Sequence, residues 1–507
     1  MKNKILFWID PTYTQFGIAK FLQEKILADF YVIYDLNHHL KKSFSNQNIV
    51  NFKKEWFYWD YQSNIHKEPD IEYLKLFEKK YDIDLWKIAF SERIFSDYQK
   101  FHDFTRKEIL SILENDCKFF EKVLDEVNPD FLIIKLADFH RTQLLVELCN
   151  AKGIKVLMLI PSRLGFRSYI SSSISSSENY SNLKNNEKPI TFSELREYFK
   201  KFDKSKQYSK IQSGGIDIPI KHKIKAFWKW IFQTYDDGYR KTYDHFGVTI
   251  FQVLKNKIIE EITRNIRYHF LEKNSIKNPL FKEKFIYFPL HVQPERNLDI
   301  DAPYYSNQLD VIENIARSLP IQYKLYVKEH PSMKFRHWRQ KSFYNSVLNL
   351  TNVKLIHPSS NSLEIIKNCS LVITIAGSTG VEAALYQKPS IVLADVSYSN
   401  LSCVKKINNF EELSETIKQL LTLDVDPNEL RDFLQYQEQI SFEFDEIEFG
   451  NELSKISFLA GMVTNDKMTV NQLDSFFEQK RELFEPLVID YIKKINEHNE
   501  KIKKLNF

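Results

Sequence analysis

LVITIAGSTGVEAALYQ, residues Leu371–Gln387, changes its pattern halfway along. Leu371–Ala376 is a short apolar run of the kind a strand buried on both faces carries, and Val381–Gln387 continues with helix-forming residues. Gly377-Ser378-Thr379-Gly380 between them is the small-residue turn of a strand-to-helix connection. The same alternation repeats outward. FIYFPLH (Phe285–His291), KLYVKEH (Lys324–His330), VKLIHP (Val353–Pro358) and SIVLAD (Ser390–Asp395) read as strands, with helical patterns such as Gln308–Leu319 and Leu363–Asn368 between them. Short continuous apolar strands separated by helices specify a doubly wound α/β unit.

The N-terminal part follows the same rule. KILFWID (Lys4–Asp10), DFYVIYDL (Asp29–Leu36), DFLIIKL (Asp130–Leu136) and KVLMLI (Lys155–Ile160) alternate with helical patterns at Thr14–Ala28, Arg106–Val127 and Thr142–Ala151. The expected fold class is therefore α/β, with two doubly wound Rossmann-type units. Residues 1–165 form an N-terminal α/β domain with an insertion at about 51–105, read as a helical surface excursion. Residues 166–280 are a polar loop and a basic helical connector, 281–425 a second α/β domain, and 426–507 a charged helical tail expected to pack across both domains. The tract SSSISSSENYSNLKNNEK (Ser171–Lys188) has the composition of a loop.

Composition bounds the rest. Of 507 residues only 11 are glycine, whereas aromatics make 14%; with 43% hydrophobic residues this is globular material and not a low-complexity or fibrous chain. A net charge of +4 is too weak to argue for nucleic acid. Four scattered cysteines, Cys117, Cys149, Cys369 and Cys403, form no CxxC pair, so buried reduced thiols are expected. The apolar start is cut by Asp10 and Pro11 before it could serve as a secretory core, and no apolar run reaches 18 residues. The expectation is a cytoplasmic protein. Peripheral contact with the cytoplasmic membrane stays open through the basic connector, for which a solvated helical face is the plainer reading.

In open parallel sheets the ligand lies beyond the carboxyl ends of the strands. His291, His330 and His357 follow three successive predicted strands there. Gln293, Glu295 and Arg296 trail the first; Lys328 and Glu329 precede His330, and Pro331 stops that strand. Gly377, Ser378, Thr379 and Gly380 would leave N–H groups free at a helix N-terminus, a seat for phosphate as well as an ordinary cap, and Glu382 equally suits a capping box. Arg296 could neutralise leaving-group charge and Gln293 could hydrogen-bond a sugar or base. Two of the 11 glycines within four residues suggest a backbone that something approaches closely, with Gly17 near the first strand–helix connection of the other unit. A metal held by the three histidines with Glu295 or Glu329 lacks any HxH or HExxH spacing, and no metal is expected.

FPLHVQPE, the YVKEHP strand end and ITIAGSTGVEAALYQKPSIV together resemble the capsule polysaccharide biosynthesis family, most clearly over 285–395. FGIAKFLQEK and VNFKKEWFYWDY add a looser likeness over 1–160. These are GT-B-type glycosyltransferases that include bacterial Kdo transferases and resemble CMP-sialic acid-using polysialyltransferases. The resemblance implies two Rossmann-type units facing a cleft. Its HP motif maps onto His330 and Pro331, with the histidine at the nucleotide phosphate; its serine-rich motif maps onto Ser378 and Thr379; and Glu382 would hold a ribose hydroxyl. One departure is Gln387 before Lys388-Pro389, where relatives often carry glycine. The implied reaction is inverting transfer of a sugar from a CMP- or UDP-linked donor to a surface or capsular glycan or glycolipid, with no metal and no cofactor beyond the donor. The base would come from the N-terminal unit. Asp10 is preferred although it also suits a turn cap, and Asp138 and His140 are alternatives.

Three readings compete on the same fold. In a CDP-glycerol-type glycerophosphotransferase the acceptor would attack the donor at phosphorus rather than at an anomeric carbon. A UDP-sugar 2-epimerase would release nucleotide with an altered sugar. A degenerate chain would serve as a non-enzymatic glycan-assembly subunit.

Overall fold

The computed structural model describes residues 2–36, 38–62, 67–96, 101–162, 164–173, 188–202, 220–234, 242–459, 463–465 and 468–505. Most of the polar tract Ser171–Lys188 lies outside them. The chain divides into two compact units: Met1–Ser173, Gln207–Gln252 and Ile440–Phe507 make the first, and Ile174–Lys206 with Val253–Gln439 the second.

The first unit is built on β1 (Asn3–Ile9), β2 (Ala28–Tyr34), β3 (Phe52–Phe57), β4 (Phe131–Lys135), β5 (Lys155–Pro161) and β6 (Arg167–Ser171). The order is β6-β5-β4-β1-β2-β3, with the short strand Phe442–Glu443 outside β6. β1 to β5 pair in parallel, while β6 runs antiparallel to both of its neighbours. β1 lies in the middle, and Ile5 to Ile9 are buried without a break, as a strand covered on both faces requires. The stretch Phe52–Phe57, read from sequence as the start of an insertion, is instead the edge strand β3. Its exposed Lys53 and Lys54 are the charged residues that suit an unpaired edge. The helix Arg106–Val127 begins with a reciprocal Thr105–Glu108 capping box and ends at Asn128 in the left-handed conformation.

The helix Thr14–Gln23 is buried on every side, because the C-terminal helix Arg481–Leu505 covers the face turned from the sheet. Gly17 is the point of contact: a Cβ there would come within 2.7 Å of the Phe484 ring. The close approach at Gly17 is therefore by the chain's own C-terminal helix. Phe16, Phe477, Phe484 and Tyr491 share one core cluster with the strands, which gives much of the aromatic share its place.

The second unit carries β7 (Phe285–Pro289), β8 (Lys324–Lys328), β9 (Val353–Ile356), β10 (Leu371–Thr374), β11 (Ser390–Val392) and β12 (Val404–Lys406). All pairs are parallel, in the order β9-β8-β7-β10-β11-β12. Sequence supplied five of these strands; β12, only three residues long, was not among them. Counted from the first strand of each unit, both sheets run 3-2-1-4-5, the doubly wound order. Phe285 stacks on Tyr326 at 4.0 Å in the second core, and all four cysteines are buried and unpaired.

Candidate functional site

The 3-2-1-4-5 order reverses direction between its first and fourth strands, which opens a crevice at their carboxyl ends. In the first unit that place lies between β1 and β4. Asp10 ends β1 and accepts from the Thr12 N–H at 2.9 Å and the Thr12 hydroxyl at 2.5 Å. Lys135 ends β4, with its ammonium 2.6 Å from Asp10 and 3.5 Å from Asp138. Burial alone would raise the Asp10 carboxyl; Lys135 and Thr12 outweigh it and hold the group below the usual range. Asp138 Oδ1 is buried with no hydrogen-bond partner among the described residues. Glu446, from the helix Glu446–Ser457, joins this cluster: burial raises its carboxyl, with Lys135 opposing and Asp10 and Asp138 reinforcing the shift. Sequence reading passed over Glu446, because a residue in the tail gives no local sign that it returns to the first switch point.

His140 takes another part. It is fully buried, with Nδ1 2.5 Å from Glu92 and Nε2 3.0 Å from Asp116. Burial disfavours its charge, but Asp116 and Glu92 overcome this and push the imidazole up to about 9. Tyr58 donates to the same Asp116 at 2.9 Å, and the neighbouring Arg141 pairs with Asp35 at 2.9 Å. An imidazolium held at both nitrogens cannot accept a proton from an incoming hydroxyl. The expected base at His140 is thus a buried tie between helices and loops.

In the second unit the reversal lies between β7 and β10, and the chain's own side chains fill it. His291 Nε2 accepts from the Ile375 N–H at 3.2 Å and lies 3.2 Å from the Thr374 hydroxyl, which places the ring proton on Nδ1. Gln308 holds the backbone of His291 from both sides, and Arg339 donates to the His291 carbonyl, to Gln293 Oε1 at 3.3 Å and to Glu329 at 3.0 Å. Glu329, fully buried, also accepts from Tyr344 at 2.8 Å and from the His330 N–H at 2.7 Å. Arg339 and Gln308 were missed in sequence, since they act 48 and 17 residues away from His291, whose strand end they fix.

The GSTG turn is present, and the chain's own groups take up its Ser378 hydroxyl and its Gly377 carbonyl. Ser378 donates to Glu382 at 2.7 Å, Tyr398 donates to the Gly377 carbonyl, and the helix Thr379–Ala384 is only six residues long. A Cβ on Gly380 would come 2.7 Å from the Tyr398 ring, and one on Gly377 would come 3.0 Å from His291. The close approach inferred from these two glycines is real, and the chain itself makes it. Arg296 is paired with Asp301 at 2.6 Å, and Glu295 precedes the short helix Arg296–Asp299 without a side-chain cap hydrogen bond. His357 lies at the far end of β9, bonded to Ser359 at 2.6 Å and 3.2 Å from Glu272, where Ile276 extends that edge. The three histidines do not converge. Among the described residues no group of three or more such ligands could hold a metal.

One strand end is different. Lys328, closing β8, is only 3% exposed, and its ammonium has no ion pair or hydrogen bond among the described residues. Burial lowers it to about 8, with Glu329 opposing only in part. From an ordinary 10.5, that shift amounts to about 3 kcal/mol against the charged form. Two residues on, His330 Nδ1 accepts from the Ser332 N–H at 3.1 Å, so the proton sits on Nε2. Burial, with Lys328 and Arg339 adding, lowers this imidazole to about 4 and keeps it neutral. Pro331 begins the short 3-10 helix Pro331–Arg336 and fixes where the ring stands. The pair can offer one cation and one N–H donor to an anionic oxygen.

Residues 239–404 match the family described as capsule polysaccharide biosynthesis protein, which spans this site. Protein FixF of Sinorhizobium fredii is 27% identical over 136 residues, 26% of this chain and 32% of that protein, so the match spans about a third of the relative's length. Among solved structures, the UDP-GlcNAc 2-epimerase of Methanocaldococcus jannaschii is 15% identical, covers 87% of this chain and 99% of its own, and has a TM-score of 0.25. The Thermosulfurimonas dismutans KpsC beta Kdo 2,7 transferase is 14% identical over 69% of this chain and 87% of its own, with a TM-score of 0.30. Similarity at this level adds nothing to the strand orders described above.

Proposed function

We propose that this chain is a glycosyltransferase of surface or capsular polysaccharide synthesis that holds the phosphate of a CMP- or UDP-linked sugar at Lys328 and His330. The Lys328 ammonium, without an ion pair or hydrogen bond among the described residues and carried on a side chain only 3% exposed, supports this reading. A protein that keeps a desolvated cation without a counter-ion gains most from a ligand that brings one. The family match over 239–404 supplies the polysaccharide context.

In the proposed reaction an acceptor hydroxyl attacks the anomeric carbon, the bond from that carbon to the phosphate oxygen breaks, and its electron pair leaves on the nucleotide. Lys328 stabilises the charge that develops on this phosphate, and His330 Nε2–H donates to it. The hydroxyl proton passes to a carboxylate. Inversion and independence of metal belong to the same proposal, and turnover is expected to survive EDTA.

Titration calorimetry with CMP, CDP, UDP and GDP tests the reading. Binding of a cytidine or uridine nucleotide is expected, and failure of all four to bind removes it. His330→Ala should lose donor turnover with the fold intact. Full turnover in that variant would take His330 out of the site.

A further inference from the structure

The helix Ile220–Thr234, IKHKIKAFWKWIFQT, belongs to the first unit and is amphipathic in the inverted sense. Ile224, Phe227, Trp228 and Ile231 follow at i, i+3, i+4 and i+7, the stripe that a surface helix normally turns to the core. Here that stripe faces out: Ile224 is 52% exposed and Trp228 56%, with Phe232 beside them at 72%. Ala226, on the opposite side of the helix, is the fully buried residue. Lys221 and Lys225, both exposed, line one flank a turn apart, and the whole segment contains no aspartate or glutamate.

The charge pattern selects the occupant. A second copy set face to face would bring lysine against lysine. Exposed isoleucine, phenylalanine and tryptophan bordered by lysine alone suit an interface that is apolar within and anionic at its rim. The helix Ile250–Asn274 also exposes Phe251, Ile258 and Ile262, but it mixes Glu260, Glu261 and Glu272 among its basic residues, where Ile220–Thr234 carries no acidic residue at all.

We propose that the helix Ile220–Thr234 lies in the surface of an anionic lipid bilayer. Ile224, Trp228 and Phe232 enter the boundary between headgroups and acyl chains, and Lys221 and Lys225 meet the lipid phosphates. This surface is independent of the nucleotide reading.

Flotation of the full chain with vesicles tests it. The chain is expected to float with mixed phosphatidylcholine–phosphatidylglycerol vesicles at low salt, much less with phosphatidylcholine alone, and to be released by high salt. Lys221→Ala with Lys225→Ala should weaken partitioning roughly tenfold or more. Trp228→Ser with Phe232→Ser should abolish it, while Leu27→Ser, at an isolated site 84% exposed, should leave it unchanged. Far-UV circular dichroism identifies any variant that has lost its fold. The proposal is overturned by absent flotation with the mixed vesicles, by equal flotation with neutral ones, or by wild-type flotation of the folded Trp228→Ser, Phe232→Ser variant. Vesicle-free self-association that Trp228→Ser removes would assign the face to a second copy and overturn it as well.

Discussion

The two sheets share one strand order and place their switch points alike, yet the two places are furnished in opposite ways. Around the first, charge meets counter-charge: Lys135 lies between Asp10 and Asp138, His140 between Glu92 and Asp116, and Arg141 against Asp35. Beside the second, hydrogen bonds tie His291, Gln308, Arg339 and Glu329 into a closed frame, and Lys328 stands in that frame without a partner. Topology fixes where a ligand could bind. Whether the local charges are already answered decides which place is left asking for one.

The comparison breaks most visibly at the first unit's buried ions. Glu92→Ala removes one of two carboxylates holding the His140 imidazolium, and losing one partner of a buried pair costs about 3–5 kcal/mol. A thermal midpoint lower by about 10 °C is expected, with nucleotide affinity unchanged in the protein that stays folded. Lys328→Met should do the reverse. Removing an unanswered buried charge should raise the thermal midpoint, while loss of a charge-assisted contact should weaken nucleotide binding about 10- to 100-fold by calorimetry. If Lys328→Met were destabilising and bound nucleotide normally, the lysine would be one more structural ion and the contrast would vanish.

Titration separates the two places with a smaller effect. The His140 pKa is raised from 6.5 to about 9 on folding, so its contribution to stability is complete below 6.5 and is lost as pH rises through about 9. That loss amounts to about 1.4 kcal/mol per pH unit within the window, and Glu92→Gln should flatten it in urea titrations at successive pH values. The Lys328 pKa is depressed from 10.5 to about 8, so its penalty is full below about 8 and fades toward 10.5. In that higher window stability gains from Lys328 while nucleotide affinity falls, because the ammonium that meets the phosphate is being lost. A nucleotide affinity that held constant up to pH 10.5 would exclude Lys328 from the contact.

Sequence showed the strand ends because hydrophobic runs and Pro331 are local signals: Asp10, Lys328 and His330 stand where the patterns put them. It could not show which charges were answered. Lys328 and Lys135 look equivalent as lysines at strand ends, and only the folded chain brings Asp10 to Lys135 across 125 positions while turning Glu329 away from Lys328 toward Arg339. The glycines misled for a related reason. Their scarcity signalled close approach, but Phe484, His291 and Tyr398 are the approaching groups, and no local pattern names a contact from so far along the chain. β3, β6 and β12 were missed because an edge strand of six residues with two lysines, a five-residue antiparallel strand inside the segment read as polar loop, and one of three residues leave little periodic signal.

Gln387 supplies the finest test, because it is strained without being part of either charge arrangement. It ends the turn after Thr379–Ala384 with φ 61°, in the left-handed region where a side chain costs about 1 kcal/mol and glycine costs nothing. This explains why glycine suits the position, and it places the departure in backbone conformation. Gln387→Gly is expected to stabilise the chain by up to about 1 kcal/mol, partly offset by the greater freedom that glycine gives the unfolded chain. Thermal unfolding would register this as a small rise, and calorimetry should find nucleotide affinity the same as in the parent. An altered affinity would mean that the turn after β10 positions the ligand together with Lys328. The line between what holds the second unit together and what it holds for its substrate would then have to run through that turn.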